Sequence, residues 1–225
     1  MDRSFHVAFE GESEGPRPAI IALHGKGDNG RDFLDACGLA AANTIVAAPT
    51  GSGLCWAPAP YARTTLSEDR ERVNAVREEL IASYGADPER VYLVGFSNGG
   101  GLAVELSLLD DHWAGVATVS AAVRATPEQI AAASWPVDYV SIHGTYDDVV
   151  PFAGEQRSPY SGAEDDTTYG APVVVDAFER RNAGLARAEL RRVEGMGHEW
   201  PTGAWVARRG VDVAEVIHGF FGLDG

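Results

Sequence analysis

The sequence predicts an α/β fold, with a doubly wound, mostly parallel sheet that carries helices on both faces. Strand and helix patterns alternate from one end of the chain to the other, as they do in such sheets. Most strand patterns are short unbroken apolar runs rich in valine and isoleucine, which is typical of strands buried on both faces. A length of 225 residues suits one such domain with a full core, so we predict a single domain over residues 1–225.

Seven segments have the strand pattern and five have the helix pattern. The predicted strands are Phe5–Phe9, Ala19–His24, Thr44–Ala48, Val91–Gly95, Gly115–Ser120, Asp138–His143 and Glu189–Val193. The predicted helices are Ser67–Tyr84, Gly99–Leu109, Pro127–Ala133, Val173–Asn182 and Asp212–Phe221. The long polar stretch Arg157–Ala171 is predicted to be a surface loop that flanks the functional site.

Composition and charge limit the classes of partner. The formal charge is −15, from 33 acidic and 18 basic residues, and such a surface repels phosphate backbones and anionic lipids. We therefore expect neither a nucleic acid nor a membrane partner. The first residues lack the basic and apolar regions of a signal peptide, and no apolar run approaches a membrane span. We expect a cytoplasmic protein, although a mature secreted form would have the same pattern.

The two cysteines, Cys37 and Cys55, have no metal-ligand spacing and are too few for a disulfide scaffold. We expect two buried free thiols. A single disulfide between them is the alternative.

The strongest chemical signal is the motif GFSNGG, which contains Gly95, Ser97 and Gly99 in the pattern G-x-S-x-G. It follows the apolar run Val91–Val94 and precedes the helical pattern Leu102–Leu109, which is the strand–turn–helix setting of a nucleophile elbow. Glycines are needed there because the tight turn brings neighbouring backbone close to the serine. The sequence therefore predicts Ser97 as a nucleophile.

A serine nucleophile needs a base, and the base needs an orienting carboxylate. Asp147 lies just past the predicted strand Asp138–His143, at the sheet edge where such folds bind ligands. We predict Asp147 as the acid, with Asp148 as the alternative. His198 follows the last predicted strand within the glycine-bounded loop GMGHEWP, and we predict it as the general base. The remaining histidines are interpreted as structural: His6, His24, His112, His143 and His218.

The oxyanion hole requires two backbone N–H donors. One is expected from Asn98, the residue after the nucleophile. The other is expected from Lys26 in the glycine-rich loop HGKGDNG, which follows the second strand. In this interpretation His198 takes the proton of Ser97, the two amides hold the oxyanion, and water then hydrolyses the acyl-enzyme. The reaction needs no metal or organic cofactor.

Several motifs together resemble one branch of the α/β-hydrolases. They are His24-Gly25, Cys55-Trp56, GFSNGG, HGTYDDVVPFAG and GMGHEWP, and they are similar to those of the polyhydroxybutyrate depolymerase / feruloyl esterase family. The resemblance implies an α/β-hydrolase fold with Ser97, Asp147 and His198 at the triad positions. It also implies that Trp56 and Trp200 lie near the acyl or alcohol pocket, with a core role as the alternative for either. HGKGDNG and GFSNGG also resemble the carboxylesterase / acyl-protein thioesterase family.

The sequence therefore predicts a serine carboxylic ester hydrolase. Its substrates are expected to be small acyl or aryl esters, such as acetyl, butyryl or feruloyl esters, with polyester fragments as a further candidate. Two alternatives stay open: an acyl thioesterase or lysophospholipase-like deacylase, and a non-catalytic receptor with a hydrolase fold.

Overall fold

The computed structural model describes residues 5–9, 15–41, 43–155, 166–203 and 206–223. The strands are β1 (Phe5–Ala8), β2 (Arg17–Leu23), β3 (Ile45–Pro49), β4 (Ala86–Phe96), β5 (Gly115–Val119), β6 (Asp138–Gly144), β7 (Gly154–Glu155), β8 (Thr168–Tyr169) and β9 (Ala188–Val193). The helices are α1 (Gly30–Cys37), α2 (Leu66–Tyr84), α3 (Asn98–Leu109), α4 (Pro127–Ala132), α5 (Ala171–Asn182), α6 (Val206–Arg209) and α7 (Val213–Phe221).

The strands form a seven-stranded sheet in the order β1-β3-β2-β4-β5-β6-β9. Strand β1 pairs antiparallel with β3, and the remaining pairings described in this sheet are parallel. A separate antiparallel ribbon joins β7 to β8. The predicted mostly parallel sheet is confirmed.

Helices cover both faces of the sheet because its strands are apolar on both sides. In β2, Ile21 and Leu23 face the helices α2, α3 and α5, whereas Ile20 and Ala22 face α1 and α7. Burial of each isoleucine or leucine side chain contributes about 1.5–3 kcal/mol, so both layers stabilise the fold. This alternation explains why β2 has an unbroken apolar sequence.

Most predicted elements appear with their ends shifted by a few residues, but β4 begins at Ala86 rather than Val91. Helix α1 was not predicted. It begins after Asn29, whose side chain accepts a hydrogen bond from the Asp32 N–H, and it ends at Gly38 in the left-handed conformation. These caps make a two-turn helix possible where the flanking glycines indicated a loop. None of the helices described is long and apolar enough to cross a membrane.

The predicted loop Arg157–Ala171 is only partly correct. Residues 157–165 lie outside the described residues. Beyond them, Thr168–Tyr169 forms strand β8 and Ala171 begins α5. The Tyr169 N–H also donates to the Val123 carbonyl at 2.9 Å, so this part of the chain has regular pairing.

Cys37 and Cys55 are both buried and free, as expected. The Cys37 thiol donates to the Leu34 carbonyl, and burial raises the pKa of Cys37 to about 11. Cys55 is hydrogen-bonded to carbonyl groups of its own loop, Ser52 and Tyr61. Both cysteines act as small buried side chains.

Candidate active site

Ser97 lies in a sharp turn between the end of β4 and the start of α3. Its backbone has φ 52° and ψ −116°, a region that residues with a side chain rarely adopt. The Ser97 N–H donates to the Val119 carbonyl at 2.9 Å, which holds the turn against β5. A Cβ at Gly95 would collide with the Gly99 carbonyl, and one at Gly99 would collide with the Leu23 carbonyl. The motif glycines are therefore required by close backbone contacts.

Three side chains from separate loops form a hydrogen-bonded chain. His198 Nε2 lies 2.9 Å from Ser97 Oγ. On the other side of the ring, His198 Nδ1 lies 2.9 Å from Asp147 Oδ2 and 3.1 Å from Oδ1. Ser97 and Asp147 are buried, and His198 is partly buried. An ionised Asp147 favours the tautomer with the proton on Nδ1, which leaves Nε2 free to accept the serine proton.

The surroundings of Asp147 keep it ionised. Its Oδ1 accepts the N–H groups of Val149 and Val150, at 3.0 and 2.8 Å. His143 Nε2 lies 2.8 Å from the Val150 carbonyl and 3.4 Å from Asp147 Oδ2. Burial alone would raise the pKa of Asp147, but hydrogen bonds from His143 and His198 outweigh it and hold the pKa well below its usual value. His143 thus braces the loop that carries Asp147 (residues 145–151, called the acid loop), as its structural interpretation predicts.

The acid loop is hydrogen-bonded directly to the loop that carries His198 (residues 194–201, called the histidine loop). The Tyr146 N–H donates to the Met196 carbonyl at 3.0 Å, and the Gly195 N–H donates to Thr145 Oγ1 at 3.0 Å. These bonds fix the distance between the two loops independently of the contact between Asp147 and His198. The position of His198 is therefore set by hydrogen bonds between the loops.

An ion pair between Arg209 and Glu199 stabilises the histidine loop. Arg209, on α6, pairs with the Glu199 carboxylate at 2.5 Å and donates to the Gly195 carbonyl at 3.0 Å. The same carboxylate accepts the Gly197 N–H at 3.1 Å. Glu199 and Arg209 therefore hold the chain on both sides of His198. Neither residue was predicted, because the partners are brought together only by the fold.

The side chain of Asn98 connects α3 to the loop that contains Trp56. Its oxygen accepts the Trp56 N–H at 2.7 Å, and its nitrogen donates to the Trp56 carbonyl at 3.0 Å. The Trp56 indole N–H donates to the His24 carbonyl at 3.0 Å, at the start of the Lys26 loop. The predicted oxyanion donors Asn98 and Lys26 thus belong to segments joined through one tryptophan. Their role in binding an oxyanion stays a prediction.

His24 is a structural residue of this network. The Gly51 N–H donates to its Nε2 at 3.0 Å, so the ring proton lies on Nδ1, which is 2.7 Å from the Gly25 carbonyl. Burial lowers the pKa of His24, which favours this neutral form.

Trp56 has the core role that was its alternative interpretation. Its side chain is 0% exposed, belongs to the core and packs against His24 with the ring centroids 5.0 Å apart. Trp200 is placed differently. It is partly buried, donates to the Cys37 carbonyl at 2.9 Å and lines a small cavity together with Phe33 and Phe96. A substrate contact for Trp200 stays a prediction.

Comparison with known proteins agrees with this fold. Residues 63–160 match the model of the phospholipase/carboxylesterase family. The solved structure of Thermogutta terrifontis esterase 2 phosphonylated by cyclosarin has a TM-score of 0.66 and 16% identity, over 98% of this chain and 89% of that chain. The Zea mays acyl-protein thioesterase 2 structure has a TM-score of 0.60 and 16% identity, over 96% of this chain and 98% of that chain. The chain therefore has an α/β-hydrolase fold.

The chain is also similar in sequence to a protein that is named as an esterase. The protein named "Putative esterase NocK", from Nocardia uniformis subsp. tsuyamanensis, is 32% identical over 205 residues, which is 85% of this chain. The chain spans 58% of that relative's length. The resemblance to the polyhydroxybutyrate depolymerase / feruloyl esterase family stays a prediction.

Ser97 and His198 both line a cavity of about 300 Å³. Phe96 stacks beside His198, with the ring centroids 5.0 Å apart, and lines both this cavity and the one that contains Trp200. The other lining residues are Gly25, Lys26, Asp28, Tyr61, Ala122, Arg124, Val149, Val150 and Thr168. Among the residues that the structure describes, no group of three or more His, Cys, Asp or Glu side chains could hold a metal ion.

Proposed function

We propose that this protein is a serine carboxylic ester hydrolase that uses Ser97 as nucleophile, His198 as general base and Asp147 as the orienting acid. One observation carries the proposal: the continuous chain from Ser97 Oγ to His198 Nε2, and from His198 Nδ1 to Asp147, with 2.9 Å at each link. The esterase name of the 32%-identical relative and the matched family model support the same class.

In the first half of the reaction, Ser97 Oγ attacks the ester carbonyl while His198 Nε2 takes its proton. The tetrahedral intermediate collapses when the same nitrogen returns that proton to the departing alcohol. Asp147 stays ionised and stabilises the imidazolium that forms in between. The acyl group is then bonded to Ser97.

In the second half, His198 removes a proton from water, which attacks the acyl carbonyl, and the carboxylic acid leaves as Ser97 recovers its proton. The backbone N–H groups of Lys26 and Asn98 are proposed to bind the oxyanion in both halves. Lys26 lines the same cavity as Ser97, and Asn98 begins the helix that follows it. The positive end of that helix adds to the stabilisation.

We propose small acyl or aryl esters as substrates, because a cavity of about 300 Å³ lies at the lower limit for ligand pockets. Acetyl, butyryl and feruloyl esters and polyester fragments are the candidates. A thioesterase or lysophospholipase-like deacylase is the second candidate, favoured by the phospholipase/carboxylesterase family match.

Pre-steady-state hydrolysis of p-nitrophenyl acetate and butyrate tests this function. We expect a burst of one p-nitrophenol per active site, followed by steady turnover, with both absent in Ser97→Ala. Methyl ferulate and acyl-thioester substrates assayed in parallel rank the substrate classes. A non-catalytic receptor would give no Ser97-dependent product with any of these compounds.

A further inference from the structure

One residue of the cavity wall, Arg124, belongs to a buried ion pair. Arg124 Nε lies 2.6 Å from Asp166 Oδ1, and Arg124 Nη2 lies 2.8 Å from Oδ2, which is a bidentate pair. The side chains of Arg124 and Asp166 are 10% and 2% exposed. Arg124 Nη1 also donates to the Ala122 carbonyl at 3.1 Å. Arg124, one member of this buried pair, thus lines the cavity together with Phe96, Val149 and Val150.

Tyr61 adds to this polar wall. The Arg124 guanidinium lies 5.6 Å from the centroid of its ring. Burial raises the pKa of Tyr61, and the charge of Arg124 partly opposes this shift. Lys26 Nζ lies 4.1 Å from the same centroid. We call Arg124, Asp166 and Tyr61 the polar wall.

The polar wall is held at a fixed position relative to the nucleophile. The Ala122 N–H donates to the Ser97 carbonyl at 2.9 Å, and Arg124 lies two residues further along the chain. The pairing of Tyr169 with Val123 holds the segment that follows Asp166 against the same backbone. A substrate group that extends from Ser97 across the cavity therefore contacts side chains whose backbone is held in place.

The chemistry of the polar wall discriminates between substrate groups. An alkyl chain that reached Arg124 would displace water from a charged group and offer no hydrogen bond in return, which is unfavourable. An acceptor oxygen at the same position would receive a charge-assisted hydrogen bond from the guanidinium. A site built to hydrogen-bond its substrate rejects analogues that lack the polar group.

We propose that the polar wall is a specificity determinant that selects short esters with a hydrogen-bond acceptor at their far end and rejects long unsubstituted alkyl chains. This inference rests on the proposed esterase function. It names the substrate class as small oxygenated esters, such as oxo-, alkoxy- or hydroxyacyl esters, or the corresponding esters of oxygenated alcohols.

Matched substrate pairs test the inference. In the acyl series, kcat/KM is compared for p-nitrophenyl pentanoate, 4-oxopentanoate and decanoate, each divided by its rate of hydroxide hydrolysis. An alcohol series compares butyl acetate with 2-methoxyethyl acetate. We expect the acceptor-bearing member to be favoured by about tenfold in one of the two series, and decanoate to be disfavoured against pentanoate by about tenfold.

The variant that removes the wall is Arg124→Met/Asp166→Leu, because replacing both charges avoids leaving one buried and unpaired. Its acceptor preference should fall to about one, and its relative rate on decanoate should rise. The matched control is Arg70→Met/Asp110→Leu, which removes the ion pair between α2 and the end of α3, away from the cavity. The control should keep the wild-type preferences.

The outcomes separate the inference from the proposed function. If no ester is hydrolysed in a Ser97-dependent manner, the function fails. If esters are hydrolysed but the double variant keeps the acceptor preference, or wild type prefers decanoate and shows no acceptor advantage in either series, the inference is wrong while the function stands. The wild-type series decides the matter even if the double variant does not fold.

Discussion

The side-chain amide of Asn98 is hydrogen-bonded to both main-chain groups of Trp56. Asn98 Oδ1 accepts the Trp56 N–H at 2.7 Å, and Asn98 Nδ2 donates to the Trp56 carbonyl at 3.0 Å. Through the Trp56 indole and the His24 carbonyl, this pair joins the first residue of α3 to the loop that carries Lys26. The two segments proposed to form the oxyanion hole therefore share one support.

Asn98→Ala tests that support, because it keeps the backbone N–H of residue 98 and removes only the amide. The Trp56 N–H and carbonyl would lose their partners, and each buried unpaired group costs about 1–3 kcal/mol of the free energy of unfolding. We expect a lower urea midpoint and a lower kcat on p-nitrophenyl butyrate. The control is Asn74→Ala, on α2. Unchanged stability and kcat in Asn98→Ala would contradict the proposed support.

Asp147→Asn tests the orienting role of the acid. Asparagine has a similar shape, but its amide can donate to His198 Nδ1 and so favour the wrong tautomer. We expect kcat to fall by roughly 10⁴-fold with little change in KM. Asp148→Asn is the matched control because Asp148 is adjacent and exposed. A large loss in Asp148→Asn with activity kept in Asp147→Asn would assign the acid to Asp148 instead.

Arg209 is predicted to act as a positioning residue for His198. Arg209→Met removes the ion pair with Glu199 and the bond to the Gly195 carbonyl, so the histidine loop loses its outer clamp. We expect kcat to fall by about tenfold or more while KM changes little, with partial rescue in Arg209→Lys. Arg192→Met, which breaks the exposed pair with Glu194, is the control. Equal effects of Arg209→Met and Arg192→Met would refute a specific role.

We predict that Glu105, on α3, makes the free energy of unfolding fall as pH rises. Burial raises its pKa, and nearby Arg124 only partly opposes this shift. The folded state therefore holds the proton more tightly than the unfolded chain, whose glutamate pKa is about 4.3. Stability is lost as pH rises from that value through the higher folded pKa. Glu105→Gln should have a higher Tm than wild type at pH 7, and the difference should disappear near pH 4. A Tm difference that is independent of pH would argue against this explanation.

The fold could be largely predicted because each strand of the sheet is a local pattern. The run Ala19–Leu23 is apolar on every residue and is buried on both faces, so one segment of sequence suffices to identify it. Helix α1 escaped prediction because it has only eight residues and is specified mainly by its caps at Asn29 and Gly38. Short capped helices offer little periodicity to detect.

The structure brings Ser97, Asp147 and His198 together, and these residues were predicted from loops that follow strands. The supporting contacts could not be predicted in this way. Arg124 and Asp166 are 42 positions apart, and nothing in either local sequence indicates the other. The choice between a pocket role and a core role for Trp56 could not be made from sequence, because an aromatic residue beside a cysteine does not indicate which of the two it faces.

The central claim, that Ser97 is the nucleophile activated by His198, is tested most directly by covalent trapping. The protein is incubated with a stoichiometric p-nitrophenyl alkylphosphonate, release of p-nitrophenol is followed, and the adduct is located by peptide mass spectrometry. We predict one adduct per chain on Ser97, formed at least 100-fold more slowly in His198→Ala, as expected for loss of a general base that contributes roughly 10²–10⁴-fold. An adduct on another residue, or a rate unchanged in His198→Ala, would contradict the claim.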